Sequence, residues 1–72
     1  MRGLTVSVHP PDCFGDLVVA LRNSGCRVVE TGPTDCRVVY PSALDEHEAN
    51  VEIRFFVRAW EAGHAAARVA LH

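Results

Sequence analysis

Cys13 is the residue whose type and position best suit it to do chemistry. It follows His9 by four positions and falls where a helix is expected to begin, and a helix N-terminus lowers the pKa of a thiol. A nucleophile, a redox thiol or half of a metal site would use such a residue. Asp12 and Asp16 flank it with negative charge that opposes thiolate formation, and no second cysteine stands at C-x-x-C spacing. An inert, half-buried cysteine is the commoner outcome. His47, set among Asp45, Glu46 and Glu48, is the other cluster that could hold a divalent cation. Consecutive polar residues at a helix start are more often a solvated capping turn. His9, His47, His64 and His72 show no i, i+4 or H-x-x-E-H grouping, and no Gly-rich loop follows a strand. The expectation is a protein that is not an enzyme and carries no cofactor and no metal.

Any such residues must be positioned by a small scaffold. The chain has 72 residues, 49% hydrophobic and 22% charged, which fits one globular domain over 1–72 and excludes a disordered or low-complexity segment. A chain this short buries only about 60% of the surface its unfolded form exposes, so little stability is in reserve. Seven basic against nine acidic residues give a charge of -2, which argues against nucleic acid and anionic lipid as partners, although a local basic stripe is compatible with it. All the basic residues are arginine, and Lys and Gln are absent, a bias of GC-rich, bacterial genomes. The three cysteines are an odd number, no signal peptide is recognisable, and no apolar run approaches the roughly 20 residues of a membrane helix. A cytoplasmic chain with Cys13, Cys26 and Cys36 reduced is expected, with no membrane association.

Leu4, Val6 and Val8 alternate with Thr5, Ser7 and His9, the period of a strand with one buried face, and Pro10-Pro11 end it. Asp12 is the expected N-cap of a first helix carrying Phe14, Leu17, Val18 and Leu21 at helical spacing. Gly15 weakens its first turn, and Asn23-Ser24-Gly25 stop it. Cys26-Arg27-Val28-Val29-Glu30 and Cys36-Arg37-Val38-Val39-Tyr40 flank a breaker run and read as a hairpin. Pairing Glu30 with Cys36 sets Val28 against Val38 on one face, and Val29 with Arg37 and Arg27 with Val39 on the other. Ser42 and Asp45 each offer a capping box for a second helix, acidic first and basic later, whose apolar stripe is Ala49, Ile53, Phe56, Val57 and Trp60. Continued to His72 this helix would run about 42 Å, too long for so small a domain. The helix is therefore expected to end near Gly63, and Arg68 to Leu71 to form a last strand.

The order βαββαβ predicts a ferredoxin-like α+β fold: a four-stranded antiparallel sheet, strands one and three central, two helices on one face. Leu4, Val6, Val8, Leu17, Leu21, Val28, Val38, Ile53, Phe56 and Trp60 are the expected core. The uncovered face would show Thr5, Ser7, His9, Arg27, Val29, Arg37, Val39, Arg68 and Ala70. Valine and arginine together on an open sheet suit an interaction surface, so Arg27, Val29, Arg37 and Val39 are the candidate contact residues of a homodimer or of a protein partner.

The element order, with Gly15 after the first strand and Gly25 at the end of the first helix, resembles small amino-acid-binding regulatory domains of the ACT type. That resemblance implies an alternative, a small-molecule-sensing site at the first strand-to-helix loop, with His9, Asp12, Cys13 and Gly15; the glycine spacing here is about one helical turn shorter. Ferredoxin-like metal carriers place a C-x-x-C at this loop, where this chain has Cys13 alone, so their copper binding is not carried over.

Overall fold

In the computed structural model, which describes residues 3–72, seven elements follow one another. They are β1 (Leu4–His9), a 3-10 turn (Pro11–Cys13), α1 (Phe14–Asn23), β2 (Arg27–Glu30), β3 (Asp35–Val39), α2 (Glu46–Ala62) and β4 (Arg68–Leu71). The strands form one antiparallel sheet in the order β2-β3-β1-β4. β1 and β3 are central, as the split βαβ order requires. The α+β class and the two-helix, four-strand composition are those expected.

Alternation decides which side chains meet the helices. Leu4, Val6 and Val8 of β1, Val28 of β2, Cys36 and Val38 of β3 and Val69 of β4 are buried, together with Phe14, Leu17, Val18 and Leu21 of α1 and Ile53 and Val57 of α2. No polar or charged residue among those described is buried as a whole, although the Oδ1 atom of Asn50 on α2 is buried without a hydrogen-bond partner. Phe56 and Trp60, expected inside, pack against the core with part of each ring in solvent. The Phe56 ring meets Tyr40 edge-on at 5.4 Å, and Trp60 stacks on His64 at 4.1 Å.

The hairpin register is the expected one, with Arg27↔Val39, Val28↔Val38, Val29↔Arg37 and Glu30↔Cys36. α1 ends in a Schellman motif: the amide of Gly25 donates to Arg22 O and that of Cys26 to Leu21 O, while Gly25 takes φ +95. That positive φ is why a glycine follows the helix. At the start of α2, Glu48 N donates to Asp45 Oδ1 at 2.8 Å and Leu44 N donates to Glu48 Oε1 at 3.0 Å, so Asp45 rather than Ser42 is the cap. α2 stops at Gly63, and β4 begins at Arg68. A radius of gyration of 11.0 Å leaves no room for the longer helix.

One local expectation is corrected. Asp12 does not cap α1: Pro10-Pro11 start a 3-10 turn that carries Asp12 inside it, and Cys13 occupies the N-cap position without a side-chain cap bond. α2 runs acidic first and basic later through Arg54 and Arg58, but its last turn holds no basic residue. Glu61 sits there instead, engaged with β4.

Candidate functional site

The face of the sheet opposite the helices divides into two halves. Over β2 and β3 the rungs Arg27·Val39 and Val29·Arg37 are consecutive on that face, so the two valines lie on one diagonal and the two arginines on the other. Together the four residues line a groove of about 290 Å³ whose surface is almost wholly apolar, the guanidinium stems serving as walls. Val29 is 57% exposed, an unusual degree for a mid-strand valine beside an apolar cleft. The four residues singled out from alternation alone are thus brought together. On the same face of β3, Asp35 precedes Arg37 by two residues, about 7 Å along the strand.

Over β1 and β4 the face is more polar. Ser7 pairs with Ala70 and His9 with Arg68. The short side chains of Ser7 and Ala70 leave a shallow depression of about 340 Å³, lined also by Val8, Thr34 and Val69.

The two edges of the sheet are not open in the same way. On β2, the Val28 carbonyl accepts a bond from Arg22 Nη2 at 3.1 Å instead of one from a further strand. On β4, Val69 is bound at both of its backbone groups by the last turns of α2: its N–H donates to Glu61 Oε2 at 2.9 Å, and its carbonyl accepts from Arg58 Nη1 at 3.2 Å. Arg58 and Glu61 are themselves paired at 2.9 Å. The bond from Val69 N–H, and then the bond from Arg58, holds the Glu61 carboxyl below its ordinary range. These side chains occupy positions a neighbouring strand would need.

The alternative loop site is only partly assembled. His9 lies at the end of β1 and lines the β1–β4 depression, which Asp12, Cys13 and Gly15 do not. Asp12 and Gly15 are exposed, and Cys13 is half-buried against the core. No group of three or more metal-ligating side chains is found among the described residues. All three cysteines are unpaired, and burial pushes the Cys26 and Cys36 thiols up to about 11, leaving them poor nucleophiles. Among the described residues, no helix is long and apolar enough to cross a membrane.

Sequence reasoning missed Arg22, Arg58 and Glu61. Their partners lie six, eleven and eight residues away and on other elements, a separation that no periodicity reports. No family model matches the chain, and neither a curated protein nor a solved structure matches it.

Proposed function

We propose that this protein is a non-enzymatic interaction module that self-associates through the open face of its ferredoxin-like sheet, Arg27, Val29, Arg37 and Val39 forming the contact. The observation that carries the reading is the single apolar groove those four residues line on the face no helix covers. The blocked edges support face against edge as the mode of pairing. Burying Val29 and Val39 contributes roughly 1.5–3 kcal/mol per fully buried side chain before the cost of association. A two-fold interface is self-complementary, and Arg37 and Asp35 on one strand give each copy both signs of charge to offer the other. A domain this small, with no disulfide among its described cysteines, gains from such burial. The arginine-only basic set and the unpaired thiols fit a bacterial cytoplasmic protein.

Multi-angle scattering tests the reading. The wild-type chain is expected at twice the monomer mass and Val29→Glu with Val39→Glu at the monomer mass; a monomeric wild type, or a dimer unaffected by the pair of substitutions, overturns it.

A further inference from the structure

The β1–β4 half of the same face has a different chemistry from the valine groove. Its depression is lined by Ser7, His9, Thr34 and Arg68 together with Val8, Val69 and Ala70. Every polar side chain in this set is able to donate a hydrogen bond, and no carboxylate lines the depression. Among the described residues, the Ser7 and Thr34 hydroxyls and the His9 imidazole make no hydrogen bond within the chain, and the one bond of the Arg68 guanidinium runs at 3.3 Å to the carbonyl of its own neighbour, Ala67. His9 and Arg68 face each other directly across β1 and β4.

The acids near the depression are accounted for. Asp35, across from Ser7 on β3, has its carboxylate beside Gly32 in the hairpin turn. Glu61, at the end of α2, is bound by Val69 N–H and Arg58, and the charge of Arg68 also helps to hold its carboxyl below the ordinary range. Four of the chain's nine acidic residues, Asp45, Glu46, Glu48 and Glu52, belong to α2 and its cap, on the opposite side of the sheet.

From this arrangement we infer that the depression over β1 and β4 binds the phosphate group of a small molecule, with Arg68 supplying charge and Ser7, His9 and Thr34 supplying further donors. Donor-bearing residues from three segments around one depression suit a group with several acceptor oxygens, and charge-assisted bonds to a guanidinium favour phosphate over a singly charged carboxylate. The site stands apart from the valine groove and does not rest on pairing of two copies.

An NMR titration of amide resonances at constant ionic strength tests it, with inorganic phosphate as the probe and acetate in a parallel arm. Phosphate is expected to give saturable shifts centred on Ser7, His9, Thr34, Arg68 and Ala70, with acetate roughly tenfold weaker or worse. Arg68→Ala is expected to weaken phosphate binding at least roughly tenfold with the spectrum otherwise that of a folded protein. If that variant fails to fold, Ser7→Ala with Thr34→Val carries the same expectation. Shifts that do not saturate, shifts centred on Arg27 and Arg37, acetate binding as tightly as phosphate, or substitutions without effect would each overturn the assignment.

Discussion

The two faces of the sheet are made by the same four strands, one residue out of step with each other, and they serve opposite ends. On the helix-covered face, the pair Val28·Val38 is buried beneath Leu17, Leu21, Ile53 and Val57 in a core that contains no buried polar residue among those described. One rung along the same ladder, Val29·Arg37 and Arg27·Val39 face outward, and Val29 is more than half exposed. The contrast teaches that valine content says little by itself about stability: Val28 and Val29 are neighbours in sequence, and only the first contributes to holding the fold. Substitutions on the two faces should therefore fail in different ways.

The largest effect is expected on the covered face. Leu17→Ala removes a side chain with no exposed surface and should lower unfolding free energy by about 2–5 kcal/mol in urea denaturation. For a chain of this length, that is a large part of a total of roughly 0.05–0.15 kcal/mol per residue. A loss under about 1 kcal/mol would show that the covered face is loosely packed and would break the contrast. On the open face, Val29→Glu with Val39→Glu should leave the monomer's stability within about 1 kcal/mol of wild type, because neither side chain is part of the core. A loss as large as that of Leu17→Ala would mean that the outer valines also hold the monomer together.

The cysteines sharpen the same comparison by reactivity. Cys26 and Cys36 belong to the covered face and Cys13 to its margin, so a thiol reagent should label Cys13 first in the native protein and reach all three only on denaturation. Fewer than three reactive thiols under denaturing, non-reducing conditions would contradict the unpaired state.

The smallest effect belongs to the β4 edge. Glu61→Gln should cost less than about 1 kcal/mol at neutral pH, since the ion pair with Arg58 is exposed to solvent screening. The folded protein holds the Glu61 carboxyl below its ordinary value, so its contribution is present above the unfolded pKa and disappears as pH falls through the folded one. Wild type and variant stabilities should converge as pH drops below the ordinary glutamate value of about 4.3. A difference that persists unchanged into strong acid would leave the carboxylate out of the clamp.

Much of this division was legible in the sequence because strands declare themselves by alternation. Leu4, Val6 and Val8 against Thr5 and Ser7, and Cys36 and Val38 against Arg37 and Val39, assign each residue to a face before any partner is known. The valine groove is a direct product of that rule and of one turn that fixes the register. Alternation also set Ser7, His9, Arg68 and Ala70 on the open face, but the part of Thr34 in the β1–β4 depression was not legible, because it lies in the turn before β3. Asp12 was misread since the capping preference of aspartate says nothing about the turn that Pro10-Pro11 impose before it. Phe56 and Trp60 have helical spacing identical to that of Ile53 and Val57, yet spacing cannot tell how far a helix face extends past the sheet beneath it.

The clamp on Val69 bears on how many copies can ever assemble. A chain that adds strands at its edge can go on adding them, each newcomer exposing the same edge again, and the product is a fibre of no fixed length. Here Glu61 and Arg58 occupy the backbone of one outer strand and Arg22 a carbonyl of the other, so that route to unlimited growth is obstructed at both ends. What remains is a surface that two copies can cover mutually and thereby use up. If two copies pair by the proposed face, the count stops at two even when the protein is crowded.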